Sequence, residues 1–328
     1  MEASKHLDLQ LFGEETVNHT GEAQLSAENK TFYDMALIDV AGPELVHDQF
    51  AQKRPIPKNG GKRIEFRKFA SLPKATEPLT EGVTPDGKKL QVTAVEAEVS
   101  QYGDYIMQSD VLELTAIDNT IVEATKILGR QAGMTLDTIT RNVMHTGTNV
   151  YYAPKADGTP VTSREELDGT CRLTVALVKR IVAFLRANNA PRINGDYVAI
   201  IHPYVAYDLM SDPEWIDAHK YAVPENIYEG EIGKVAGVRF IESSEAKVYE
   251  NGVFGCLFLG DGAYGVTEVT GGGLETIIKQ KGSAGTADPL DQRSSIGWKA
   301  LRTAQILVEP YLVRVECMSA LSSEVTPN

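Results

Sequence analysis

The chain has 328 residues, of which 42% are apolar and 23% are charged, and its formal net charge at pH 7 is −13. This composition allows a sizeable core, in one large domain or two ordinary ones, and it excludes collagen-like, disordered and disulfide-dense chains. The acidic excess also argues against a protein that grips nucleic acid, because affinity for phosphate backbones comes mainly from Lys and Arg.

The cysteines and the apolar runs exclude further classes. Cys171, Cys256 and Cys317 are widely spaced and have no companion histidines, so neither a zinc site nor a disulfide framework is indicated. No window approaches the roughly 18 apolar residues of a membrane span, and the first thirty residues lack the pattern of a signal peptide. We therefore expect no membrane association and a chain that stays in the cytoplasm or in a particle assembled there.

The N-terminal part is predicted to be an arm followed by short helices. Residues 1–25 carry one apolar patch and then polar sequence, which is typical of a segment that is extended or becomes ordered on assembly. From Ser26 to Gln49 the apolar residues recur with helical spacing, and Pro43 interrupts them. Because proline breaks a helix interior, we expect two short helices here.

Residues 53–110 are predicted to form a long hairpin. Ile64 and Phe66 alternate with charged residues, and so do Val95 and Ala97, which is the period of a strand with one buried face. Pro, Gly and Asp residues interrupt the middle and predict an irregular tip. An isolated hairpin is only marginally stable, so we expect this one to lie on the chain's own body or on a neighbouring subunit.

The charges of this region are segregated along the chain. Residues 53–74 hold eight basic side chains and one acidic, whereas residues 75–125 hold ten acidic side chains and two basic. Two interpretations stay open: two solvated strand faces attract each other within one hairpin, or the basic strand docks on an acidic surface of the next subunit, where complementary charge would fix register and partner choice. The candidate contact residues are Arg63, Arg67, Lys68, Glu96, Glu98, Asp110 and Glu113.

The strongest helical pattern runs from Thr115 to Gly147. Apolar residues recur there every three or four positions, which predicts a helix of about 30 residues, roughly 45 Å long. Such a helix is several times longer than the average of about 11 to 12 residues. Beside a long hairpin, it suits a flat, extended subunit better than a compact enzyme.

The rest of the chain predicts a mixed domain of helices and strands. After a linker over residues 153–169 we expect an amphipathic helix, a buried strand, a further helix, and then mostly strands from residue 233 onwards. The fold class is α+β with a mainly antiparallel sheet. The predicted elements are a helix with its apolar stripe over 173–185 that ends near 188–191, a strand over 197–201, a helix over 204–210, strands over 237–241, 254–259 and 265–269 with a hairpin turn at Asn251-Gly252, and a final strand pair over 305–308 and 311–317.

One motif matches the sequence pattern of a nucleotide-binding site. Residues Gly260–Gly265 match GxGxxG after a credible strand, but the motif must open a helix that receives the pyrophosphate. The following residues, Val266–Val269, alternate like a strand instead. The sequence therefore predicts a loop between two strands.

No other group of residues selects a chemistry. The six histidines show no metal-binding grouping, no serine lies in a GxSxG elbow, and no pair of carboxylates stands out as acid and base. We predict no catalytic residue, no cofactor and no metal site.

Particular strings, in this order of elements, resemble a known family. The strings are Gln52–Lys62, Leu79–Pro85, Gln101–Tyr105, Leu112–Thr115, Gly230–Arg239 and Asp291–Lys299. They resemble, from about residue 26 to the end, the Hong Kong 97-type capsid fold of tailed-phage major capsid proteins, in the branch typified by phage N-four. The resemblance implies an N-arm with short helices over 1–52, an E-loop hairpin over 53–110, a P-domain with its spine helix over 111–167, an A-domain over 168–290, and return strands of the P-domain over 291–328.

The resemblance also implies a structural function without enzyme activity. Such proteins assemble with themselves into hexamers and pentamers, and these form an icosahedral shell around double-stranded DNA without sequence-specific binding. The implied partners are scaffolding and portal proteins, with decoration proteins as an optional addition, and the implied location is the virion, assembled in the host cytoplasm. The alternatives are an encapsulin-like compartment shell and a soluble enzyme that uses a cofactor at the Gly260 loop.

Overall fold

The computed structural model describes residues 45–55, 62–69, 92–115, 120–219, 233–267, 274–283 and 288–328, with some positions between 72 and 90. The arm over 1–25, most of the two predicted short helices and most of the hairpin tip lie outside the described residues. His47–Phe50, at the end of the predicted helical stretch, form a turn.

The described part of the chain contains fourteen strands and five α-helices. Its strands are β1 (Gln52–Arg54), β2 (Arg63–Phe69), β3 (Val92–Glu98), β4 (Ser100–Ser109), β5 (Val150–Tyr152), β6 (Tyr197–Ile201), β7 (Lys234–Val235), β8 (Val238–Glu242), β9 (Phe254–Leu259), β10 (Tyr264–Thr267), β11 (Leu274–Lys279), β12 (Arg293–Arg302), β13 (Ala304–Ile306) and β14 (Leu312–Cys317). Its helices are α1 (Asp110–Thr115), α2 (Thr120–Met144), α3 (Val175–Ala187), α4 (Pro203–Met210) and α5 (Pro213–His219).

The predicted long helix is α2, with different ends. It has 25 residues, about 37 Å at 1.5 Å per residue, and it ends at Met144, three residues before Gly147. Residues 116–119 before it lie outside the described residues. Its buried stripe of Ala124, Leu128, Ala132 and Leu136 has the spacing of one helix face.

A three-stranded antiparallel sheet covers that stripe. The strand order is β11-β12-β4, and β4 pairs with β12 over its whole length, from Ser109 opposite Arg293 to Ser100 opposite Arg302. Ile296, Trp298 and Ala300 of β12 point to α2 and share its apolar cluster. The return strands expected over 291–328 include β12, but the periodicity delimited neither β11 nor β12, and β4 was expected within the hairpin, whereas it pairs with a strand about 190 residues later.

The predicted hairpin is present in its described part. Strands β2 and β3 pair antiparallel from Arg63 opposite Glu98 to Phe69 opposite Val92. Next to it, β10 lies between β1, to which it is parallel, and β13, to which it is antiparallel. This small sheet connects the start of the hairpin to the C-terminal third of the chain.

A six-stranded mixed sheet forms the largest core. Its order is β5-β14-β9-β6-β8-β7, and every residue of β6 and β9 is buried. Helix α3 packs its apolar face on this sheet, with Ile181 and Leu185 in the core. The predicted helix ends near Asn188 as expected but begins two residues after Leu173, because the Thr174 side chain caps its first turn by accepting from the Leu177 N–H.

One predicted pairing is wrong. The final strands β13 and β14 do not pair with each other: β13 pairs with β10, and β14 lies between β5 and β9. A short 3₁₀ helix at Glu309–Tyr311 separates them, so the chain turns away instead of folding back as a hairpin.

The α+β class and the loop at Gly260 are confirmed. Among the described strands, seven of ten pairings are antiparallel. The residues between Leu259 and Tyr264 connect β9 to β10, and no helix follows them. The GxGxxG spelling therefore lacks the helix N-terminus that a dinucleotide site uses.

Candidate assembly surfaces

The exposed face of the hairpin carries charges of both signs. Because side chains alternate along a strand, Arg63, Glu65 and Arg67 of β2 share one face with Glu96 and Glu98 of β3. Glu65 lies directly opposite Glu96, an arrangement of like charges that destabilises a strand pair. The flanking arginines offset this repulsion.

The described arginines of β2 find partners inside the hairpin. Arg63 Nη1 lies 3.0 Å from Glu96 Oε2, and Arg67 Nε lies 3.3 Å from Glu65 Oε1. The side chains of Arg63 and Glu96 are 75% and 61% exposed, and exposed pairs contribute only about 0 to 1 kcal/mol. These pairs agree with attraction inside one hairpin, yet they are weak enough to exchange for other partners.

The other face of the hairpin is buried on the chain's own body. Ile64, Phe66 and Ala97 form an apolar cluster to which Leu307 adds. The Phe66 ring lies against Gly265 of β10 so closely that a Cβ at Gly265 would overlap it. The root of the hairpin is therefore fixed in its own subunit, and the charged face points away from the body.

The acidic candidates after the hairpin lie elsewhere. Asp110 follows the last residue of β4, and that ten-residue strand is roughly 33 Å long. The Oδ1 of Asp110 accepts a hydrogen bond from the Val111 N–H, and the backbone N–H of Asp110 donates to the Gln292 carbonyl oxygen. Among the described residues, no contact joins Asp110 to Arg63 or Arg67. The side chains of Lys68 and Glu113 lie outside the described part.

The outer face of the sheet β11-β12-β4 is a second exposed surface, which the sequence analysis missed. Tyr105 of β4 and Ile277 of β11 lie on either side of Gly297 in β12, and Met107 lies one step further along β4. Tyr105 is 62% exposed, and Met107 and Ile277 are exposed as well. Alternation of Tyr105 and Met107 with Tyr102 and Ile106 is the sequence signal that indicates a strand with two apolar faces.

The described cysteines and histidines form no reactive or metal-binding group. Cys171, Cys256 and Cys317 are buried free thiols, and the contact of Cys317 with Cys256, together with burial, raises the pKa of the Cys317 thiol. In the part of the chain that the structure describes, no cluster of three or more His, Cys, Asp or Glu side chains could hold a metal ion. No helix in the same part is long and apolar enough to cross a membrane.

Comparisons with known proteins agree on one family. The model of the phage capsid protein family matches residues 92–313, which is about two thirds of the chain and includes the sheet that packs on α2 and, except for most of β14, the sheet that packs on α3. No curated protein sequence matches the chain significantly.

Solved capsid structures share the fold at low sequence identity. The capsid of cyanophage P-SCSP1u is 15% identical with a TM-score of 0.61, covering 81% of this chain and 86% of that one. The capsid of cyanophage Pam1 is 13% identical with a TM-score of 0.61, covering 86% and 92%. The encapsulin SrpI of Synechococcus elongatus is 10% identical with a TM-score of 0.53, covering 83% and 86%.

The structural likenesses confirm the Hong Kong 97-type fold, and the family match includes the hairpin's second strand, α2 and five of the six strands of the large sheet. The chain belongs to the phage capsid protein family, and it is a major capsid protein, a building block of a phage shell.

Proposed function

We propose that the chain assembles with itself into hexamers and pentamers that close into an icosahedral shell around the double-stranded DNA of a tailed phage. Assembly takes place in the host cytoplasm with scaffolding and portal proteins, and decoration proteins are an optional addition. The net charge of −13 suits a wall that packed DNA must slide past, since few basic groups are left to hold phosphates.

The exposed charged face of the hairpin carries this proposal. Its basic strand, with Arg63, Arg67 and Lys68, lies over an acidic surface of the adjacent subunit at Asp110 and Glu113. The support is geometric: the hairpin root is packed on its own subunit, while Asp110 is one full length of β4 away from Glu98. The complementary charges of one chain are therefore available to a second copy, where they would fix register.

A charge exchange tests this contact. The variant with Arg63→Glu, Arg67→Glu and Lys68→Glu is expected to fold and to remain unassembled, as measured by sedimentation and circular dichroism. Adding Asp110→Lys and Glu113→Lys to that variant should restore shells if the contact is between subunits.

The matched control adds Glu96→Lys and Glu98→Lys to the triple variant instead. Restoration by this pair alone would mean that the charges act only within one hairpin. Normal shells from the triple variant itself would mean that the basic strand has no part in assembly.

An encapsulin-like compartment is the second candidate, because an encapsulin shares the fold with a TM-score of 0.53. Shells purified from cells that express the chain with its neighbouring genes distinguish the two. Packaged DNA and a portal support the phage shell, whereas a packaged enzyme supports the compartment.

A further inference from the structure

Residues 45–55 form a strap between the N-terminal segment and the hairpin. Forty-four residues precede Leu45, and β2 begins at Arg63. The strap crosses the middle of α2 at His47, whose backbone N–H donates to Asp137 Oδ1 at 2.7 Å and whose Nδ1 lies 2.6 Å from Asp137 Oδ2. One residue of the strap thus occupies both oxygens of one carboxylate, and His47 and Asp137 are 1% and 0% exposed.

The next residue extends the same contact to other elements. Asp48 Oδ1 accepts from Thr140 Oγ1 of α2 at 2.9 Å and forms an ion pair with the Arg302 guanidinium at the end of β12. The hydroxyl of Tyr264 in β10 donates to the carbonyl oxygen of His47. Two residues of one turn are therefore bonded to three elements in the interior of the subunit.

Apolar contacts add to this attachment, and Leu45 is partly buried against the cluster shared by α2 and β12. Val46, Phe50 and Ala51 are partly buried against the cluster around Met144 and Tyr264, and β1 has three residues. Hydrogen bonds to charged groups stabilise more than those between neutral groups, and leaving a charged group buried without a partner is strongly destabilising.

The polar contacts of His47 and Asp48 form a latch, and this latch is expected to have two states, closed and open. If the strap lifted while the body stayed closed, Asp137 would lose its contacts with His47, and Arg302 would lose its ion pair with Asp48; both groups are almost fully buried in the closed subunit. Intermediate positions are therefore unfavourable, and a short element with two discrete arrangements is the usual basis of a conformational switch.

We propose that residues 45–55 are a latched strap that gives the N-terminal segment and the hairpin one common anchor. While His47 and Asp48 stay in place, both parts leave the subunit from a fixed position, and opening the latch frees both together. The importance of this anchor for shells rests on the proposed function, but the latch itself is a property of the single subunit.

Amide hydrogen exchange of the unassembled full chain tests the proposal. Asp137→Asn is expected to accelerate exchange about tenfold to a hundredfold in residues 46–54 and in β2 and β3, because one charge-assisted contact is lost. Exchange in β6 and β9 should not change. The matched control is Glu123→Gln, which removes one negative charge from an exposed position on the same helix.

Two outcomes would overturn the proposal. Unchanged exchange in residues 46–54 would show that the polar contacts do not hold the strap, and acceleration of the strap without β2 and β3 would show that the anchor is not shared. If Asp137→Asn fails to fold, Asp48→Asn alters the latch from the strap side and leaves α2 intact, and the same two outcomes apply. Because no shell is needed, this experiment can fail while the charge exchange between subunits succeeds.

Discussion

At the scale of single residues, the fit between the hairpin and the body depends on one glycine. Gly265 allows β10 to approach the Phe66 ring, which is almost completely buried. A side chain at this position would push the hairpin root off the surface to which Ile64 and Ala97 also belong. The close approach, not an unusual backbone conformation, is what requires glycine here.

Gly265→Ala is therefore expected to destabilise the subunit by about 1 to 3 kcal/mol, the usual cost of overpacking. Denaturant unfolding monitored by circular dichroism measures the change. Gly169→Ala is the control, because a Cβ there meets no atom within 4 Å. Equal stability of the two variants would mean that Phe66 moves aside freely.

His145 is a second residue with a measurable consequence. It is buried, its Nδ1 lies 3.0 Å from the Tyr249 hydroxyl, and its ring packs against Gly255. Burial, followed by the positive charges of neighbours such as Arg314 and Arg141, lowers the pKa of His145 well below its ordinary 6.5. The folded subunit thus keeps this imidazole neutral under conditions in which the unfolded chain protonates it.

The sign of the resulting pH dependence follows from that difference. Below pH 6.5 the unfolded chain binds a proton that the folded subunit does not. The free energy of unfolding therefore decreases as the pH is lowered, by up to about 1.4 kcal/mol per pH unit from this group. His145→Gln should remove this part of the slope between pH 6.5 and 5. Other groups titrate in both proteins, so identical slopes in the two would contradict the lowered pKa.

At the scale of elements, an ion cluster around one buried carboxylate joins strand β14 of the six-stranded sheet to the loop after β5. Glu316 of β14 is completely buried and accepts from Arg164 Nε at 2.7 Å and Nη2 at 2.6 Å, while Arg314 Nε lies 3.1 Å away. The Arg164 guanidinium also lies over the Tyr249 ring, 3.6 Å from its centroid. The hydrogen bonds from Arg164 to Glu316 raise the pKa of Arg164.

Glu316→Gln is expected to cost about 1.5 to 3 kcal/mol, because it weakens charge-assisted hydrogen bonds to a fully buried carboxylate, while the Arg164 side chain is 39% exposed and keeps contact with water. Thermal or denaturant unfolding gives the value. Glu324→Gln, at an exposed position of the same C-terminal segment, should change stability by less than about 0.5 kcal/mol. A small effect at Glu316 would indicate that water reaches the cluster.

Elements differ in how far the sequence predicts them. Helix α2, the β2–β3 hairpin and the strand Phe254–Leu259 are predicted because their period is local and long. The pairing partner of each strand is not predicted by the sequence. Strand β4 pairs with β12 and β13 pairs with β10 across separations in sequence that no local pattern encodes. The pairing of the last two strands was mispredicted for this reason.

The same reasoning applies to the candidate contact residues. Alternation predicts that Arg63, Arg67, Glu96 and Glu98 share an exposed face, and the register confirms it. The exposed row of Tyr105 and Ile277 was not predicted, because its members become neighbours only through β12.

At the scale of the whole molecule, the described parts divide between a fixed body and outward-facing surfaces. The six-stranded sheet with α3 and the three-stranded sheet with α2 bury their apolar faces within the chain. The charged face of the hairpin and the outer face of the sheet β11-β12-β4 stay exposed. A subunit built in this way has its own core and leaves two surfaces exposed.

The central claim is that this chain builds a closed shell, and electron microscopy of the purified full chain, with the scaffolding protein of its phage present, tests it most directly. We expect hexameric rings and closed icosahedral particles in the images. A protein that remains monomeric at high concentration under these conditions would contradict it.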